Sequence, residues 1–116
     1  MELKWYEFTQ NNSGGYFVVD ENVCHRMLIE ASSFDEAIEK AEKLGCYWDG
    51  VINEIDCPCC GDRWNHYWEE TIDLNNHDGD IRAYAQDKAD NWGWTSPDTR
   101  IFYANGTVEE IYSKRV

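Results

Sequence analysis

The stretch Val23–Gly45, "VCHRMLIEASSFDEAIEKAEKLG", decides the fold, because its apolar period changes once along its length. In the first part Val23, His25, Met27, Ile29 and Ala31 alternate with Cys24, Arg26, Leu28 and Glu30, which is the two-residue period of a strand. Cys24 and His25 therefore point in opposite directions, and His25 belongs in or beside the core. In the second part Phe34, Ala37, Ile38, Ala41 and Leu44 recur at helical spacing. Ser33 followed by Glu36 forms a capping box at the start, and Gly45 supplies the left-handed stop.

Working outward, "LKWYEFT" before this unit reads as a strand, with Leu3 and Trp5 alternating against Tyr6 and Phe8. The polar run "QNNSGG" must turn the chain, and "YFVVD" continues as another strand. Beyond the helix, "VINEI" alternates Val51, Asn53 and Ile55, and "NHYWEETI" offers short strand or loop. "IRAYAQDKADNW" puts Ile81, Tyr84, Ala85, Lys88, Ala89 and Trp92 on a second helical stripe. "RIFYA" and "TVEEIY" flank Asn105-Gly106, which suits a two-residue type I′ hairpin ending the chain on an antiparallel edge. The expected order is β-β-β-α, an irregular cysteine-bearing segment, then α-β-β. That is an α+β fold over residues 1–116 as a single domain, an antiparallel sheet with two helices packed on it, covering one face.

Composition narrows the function. Acidic residues number 23 against 10 basic ones, a net charge of −13, so phosphate backbones and anionic lipid are repelled and nucleic acid or a membrane is a poor partner. The acids are scattered over elements and turns, the pattern of a solvated surface, although a DNA mimic that grips a basic host enzyme would also be acidic. No early basic segment leads into a signal-length apolar run, and no run approaches a membrane span, so a cytoplasmic location is expected. Five cysteines, an odd number, suit free thiols or metal ligands in a reducing compartment better than a disulfide framework.

The compact chemical signal is "DCPCCGDRW", Asp56 to Trp64. Cys57 and Cys60 form a C-x-x-C turn stiffened by Pro58 and reversed at Gly61, half of a structural zinc site. Completing it needs Cys46 and His66, with Cys24 a more distant candidate. The competing reading is a metal-free turn whose thiols pack beneath Trp48 and Trp64. A redox pair would need a helix directly after the motif, and "GDRWNHYW" starts none. "DLNNHDGD" has glycine one place late for a calcium loop and Tyr84 where glutamate is required, so it reads as a solvated acidic loop with His77 exposed and without a visible partner. The pairs Glu69-Glu70 and Glu109-Glu110 fall on opposite strand faces. No triad, hydrolase helix or cofactor fingerprint emerges, and a non-enzymatic protein is expected.

Ligand-binding candidates are therefore aromatic, amide and cationic. Gln10, Asn11, Asn12 and Ser13 offer donors and acceptors beside two glycines, while Trp48, Trp64, Trp92 and Trp94 offer stacking faces and Arg63 and Arg100 positive charge. The residues "FTQNNSGGYF", "KLGCYWDG" and "DCPCCGDRW", and less closely "RIFYANGTVEEIY", resemble a family of small uncharacterised tailed-bacteriophage proteins. A cysteine often follows the "DG" turn there, and this chain has Val51 instead. The resemblance implies a phage accessory protein working in the host cytoplasm, of the anti-defence kind, either sequestering a small nucleotide-derived immune signal or inhibiting a host protein. A pocket between subunits, hence a homo-oligomer, suits the first role.

Overall fold

The structure is a computed structural model that describes residues 2–11, 17–48, 51–54, 63–66, 71–93 and 95–114, with the backbone alone for Asn65, His66 and Trp92. Its elements are β1 (Lys4–Gln10), β2 (Arg26–Ala31), α1 (Phe34–Leu44), β3 (Trp64–His66), a 3-10 turn (Asn75–His77), α2 (Ile81–Trp92), β4 (Thr99–Phe102) and β5 (Val108–Ile111). The α+β class is as expected. The five strands lie in the order β3-β1-β2-β4-β5, antiparallel throughout except that β2 and β4 run parallel. A parallel neighbour cannot be reached by a hairpin, so the chain between β2 and β4 must cross over the sheet. Both helices lie in that crossover.

The expectation that both helices cover one face is corrected here, because they lie on opposite faces. Tyr6, Phe8, Met27, Ile29 and Ala31 pack with Ala37 and Ala41 of α1. Leu28 and Ile101 pack instead with Ile81, Ala85 and Ala89 of α2, together with Ile111. Strand alternation produces both faces from one sequence, since Phe8 pairs with Met27 while Glu7 pairs with Leu28. Phe8, Met27 and Ile29 are fully buried, and each such side chain contributes about 1.5–3 kcal/mol of transfer free energy.

Helix α1 matches its sequence closely. Ser33 accepts from the Glu36 N–H at 3.2 Å, and Gly45 at φ 121° closes the helix by donating to the Ala41 and Glu42 carbonyls. The capping box is only half formed, because the Glu36 carboxylate turns to the Ser32 hydroxyl and to Lys40. These two partners, the hydroxyl first, hold its carboxyl below the usual range. Helix α2 starts at Asp80, whose carboxylate accepts from the Arg82 N–H at 2.9 Å.

One expected strand is not a strand. Residues 17–19 of "YFVVD" do not join the sheet, because the Gln10 side chain takes the ladder's place: its amide donates to the Val18 and Cys24 carbonyls and accepts from the Val18 N–H. Asp20 then turns the chain by accepting from the N–H groups of Asn22 and Val23, both at 2.8 Å. "VINEI", open between short strand and loop from its sequence, is a turn over residues 51–54, with Glu54 at φ 63°, and Ile55 lies outside the described residues. The terminal hairpin forms, but its loop is three residues and not two. Gly106 N–H bonds to the Tyr103 carbonyl and Tyr103 N–H to the Thr107 carbonyl, so Gly106 alone takes positive φ, at 93°.

Candidate functional site

The structure gathers several of the expected site residues at the β3 end of the sheet, and largely internalises them. Gln10 pairs with Trp64 across β1 and β3, and Asn11 N–H donates to the Arg63 carbonyl at 2.7 Å. Arg63 Nε donates to the Tyr47 hydroxyl, and the Trp48 ring packs at 5.6 Å from Phe8. Gln10, Arg63 and Trp64 are all buried, and the Gln10 amide is engaged by Val18 and Cys24. Asn12, Ser13 and Trp94 lie outside the described residues, as does the Trp92 side chain.

Arg100 is not part of that group. It is buried on the α1 face of β4, bonded through Nε and Nη2 to Glu110 at 3.0 and 2.9 Å and through Nη1 to the Asp20 and Val23 carbonyls. Its role is to pin the 17–24 segment to the sheet. Expected as a ligand-binding cation, Arg100 has its guanidinium already matched by a carboxylate and two carbonyls.

For the zinc reading, Cys57, Cys60 and the His66 side chain lie outside the described residues. Cys46 belongs to the α1-face core, where burial pushes its thiol well above the ordinary value, with smaller contributions from Cys24 and Glu42. Burial likewise lifts Cys24 to about 12, and its thiol donates to the Arg26 carbonyl. Both are core thiols in which the thiolate needed for ligation or attack is disfavoured. Among the described residues no three of His, Cys, Asp or Glu are arranged to hold a metal.

The α2 face holds a feature that the pattern of residues did not reveal. Asp98, fully buried, lies 2.8 Å from His25 Nδ1 through Oδ1, and its Oδ2 receives Arg26 Nη1 at 3.0 Å and the Thr99 hydroxyl at 2.8 Å. Arg26 continues to Glu7 at 3.1 Å, and the Tyr84 hydroxyl of α2 donates to the same carboxylate oxygen. The chain of contacts ties β1, β2, α2 and the start of β4 into one network. His77 is also corrected, since its Nε2 lies 3.2 Å from Asp87 and its ring stands edge-on to Tyr84 at 5.4 Å. The sequence signal for the network was slight: an arginine on a strand face otherwise shared with Leu28.

The concave surface with ligand-like chemistry lies elsewhere. A groove of about 290 Å³ runs between α1 and the β4–β5 hairpin, with Leu44, Phe102 and Val108 as its apolar floor and Lys40, Lys43 and Thr107 at its sides. It exists because α1 covers β1 and β2 and leaves the hairpin end of β4 and β5, at Phe102 and Val108, open on that face. Lys40 is held by the Glu30 carbonyl and Glu36, while Lys43 is well exposed and 3.8 Å from Glu39. A second hollow of about 320 Å³ at the start of α1 is lined by Tyr6, Ser33, Phe34 and Asp35, whose carboxylate opposes an anion. The two groove lysines were legible only as members of the helix's surface pattern, spaced three apart.

Residues 3–116 match the family model described as a domain of unknown function, DUF7296. The chain belongs to the DUF7296 family. The match takes in both faces of the sheet and the groove, so every helix and strand described above falls within the family's domain. No curated protein matches the chain, and no solved structure matches it either. Among the described residues no helix is long and apolar enough to cross a membrane.

Proposed function

We propose that this DUF7296 protein is a non-enzymatic binding protein, made by a bacteriophage and active in the cytoplasm of its host, that sequesters a small nucleotide-derived immune signal. The phage origin rests on the likeness of "QNNSGG" and "CPCCGDRW" noted above. The observation that carries the binding reading is the groove: in a chain of net charge −13, two ammonium groups flank an aromatic floor. A base would lie on Phe102 against Leu44, and phosphate oxygens would meet Lys43 and, beside it, Lys40. Gly106 leaves open space over its backbone, so a ligand edge can approach the turn.

The size of the groove also supports the binding reading. Its volume lies near the lower end of small-molecule sites, roughly 300–1,000 Å³, which favours a ligand presenting one nucleotide unit.

The test is a calorimetry and thermal-shift panel of ADP-ribose, mononucleotides and cyclic dinucleotides, with inorganic phosphate as control, followed by recovery of the ligand after denaturation. The expected result is stabilisation by at least one nucleotide, recovered intact, with Lys43→Glu weakening binding by roughly tenfold. No stabilisation by any member overturns the reading. A host enzyme recovered on the protein instead, in a complex that weakens with salt, would favour an acidic inhibitor or DNA mimic.

A further inference from the structure

Strand β5 is an outer strand of the sheet, and among the described residues no strand pairs with its far edge. Val108–Ile111 contains no proline and no lysine, the residues that commonly blunt an edge. Its two glutamates are already balanced within the chain. Glu109 pairs with Arg82 at 2.9 Å and accepts from the Tyr103 hydroxyl, and Glu110 pairs with Arg100. At the two ends of this edge Val108 and Tyr112 are large apolar side chains left 50% and 52% exposed.

The hydrogen-bond phase of the hairpin fixes which backbone groups face outward. Tyr103 N–H bonds to the Thr107 carbonyl, so Thr107, Glu109 and Ile111 turn their backbone groups toward β4, and Val108 and Glu110 turn theirs toward the far edge. Val108, Glu110 and, by continued alternation, Tyr112 share the α1 side of the sheet. The Gln86 side chain engages the Tyr112 carbonyl, which leaves the Tyr112 N–H for the edge.

We infer that β5 is a two-fold interface at which two copies of this chain join their sheets edge to edge. With Glu110 opposite its own symmetry mate, the outward backbone groups meet as a bonded pair, and Val108 of one copy falls opposite Tyr112 of the other. The two exposed apolar side chains thus cover each other twice, which is the self-complementarity a two-fold interface requires. Arg100 beside each Glu110 offsets the like charges at the centre. Because Val108 lines the groove, the second copy's tyrosine also extends the groove's apolar wall. The interface does not depend on any ligand, so its test is separable from that of the binding reading.

The experiment is sedimentation of the ligand-free protein over a range of concentration and salt. A monomer–dimer equilibrium is expected, and raising the salt should strengthen it, because both copies carry strong negative charge that screening relieves. Val108→Lys and Tyr112→Glu should each weaken the dimer by roughly tenfold, since the two-fold axis counts each change twice. Mixing the two variants should restore association, because the introduced charges then face each other across one of the two pairs. A monomer at every concentration, a dimer that neither variant weakens, or a mixture that fails to associate overturns the interface. Circular dichroism of each variant separates a lost interface from a lost fold.

Discussion

The two faces of the central sheet are built on different principles. Under α1 the contacts are apolar, with Phe8, Met27 and Ile29 against Ala37 and Ala41, and specificity comes from shape. Under α2 a smaller apolar cluster shares the face with Glu7 and Arg26, which connect to Asp98 and through it to His25, and specificity there comes from matched charge and hydrogen bonds. The difference shows where an acidic protein places its scarce cations. Arg26 and Arg100 are internal, each matched to carboxylates, and the lysines of α1 remain for the surface.

The sharpest way to break the comparison is to remove one anchor from each face. Arg26→Met leaves the buried Asp98 and the partly buried Glu7 without their cation, and should lower unfolding free energy by about 3–5 kcal/mol. Met27→Ala, next along the strand but on the other face, removes only packing and should cost about 2–5 kcal/mol. Chemical denaturation of both checks the magnitudes, and the pH profile separates them. The Arg26 variant should lose its stability deficit as acid neutralises the stranded carboxylates, whereas the Met27 deficit should persist. Parallel acid behaviour of the two variants would show that the network carries no charge-specific role.

A smaller effect is expected elsewhere on the α2 face, at Tyr103. Burial first, and then the hydrogen bond to Glu109, lift the Tyr103 hydroxyl from an ordinary value near 10 to about 12. The folded state therefore holds that proton more tightly than the unfolded chain. Its contribution is complete below about pH 10 and is lost as pH rises toward 12. Tyr103→Phe should flatten this alkaline limb of the stability curve, and an unchanged limb would remove Tyr103 as its source.

The legibility of these features in the sequence follows from how local their causes are. Helix α1 was readable because Ser33, the apolar stripe and Gly45 all act within one segment. The two faces of β2 were readable too, but not their occupants, because Arg26 and Glu30 resemble a solvent-facing side until Asp98 arrives from far along the chain. Val18 and Val19 suggested a strand because the competing partner, the Gln10 amide, is a side chain that no backbone pattern records. Arg63 and Arg100 looked available to a ligand for the same reason, since the Tyr47 hydroxyl that meets the first and the carboxylate and carbonyls that meet the second come together only in the fold. The hairpin was visible in Asn105-Gly106, and its loop length was not, because Asn105 uses its side chain to hold the Thr107 N–H.

The central claim is that the α1 face binds and the α2 face holds the structure together. It is tested most directly by titrating ¹⁵N-labelled protein with ADP-ribose and with a cyclic dinucleotide while following the backbone amide resonances. The account predicts shifts concentrated at Lys40, Lys43, Phe102 and the turn from Gly106 to Val108, with Glu7, Arg26 and Asp98 unmoved. Shifts centred on Gln10, Arg63 and Trp64, or none with either ligand, would contradict it.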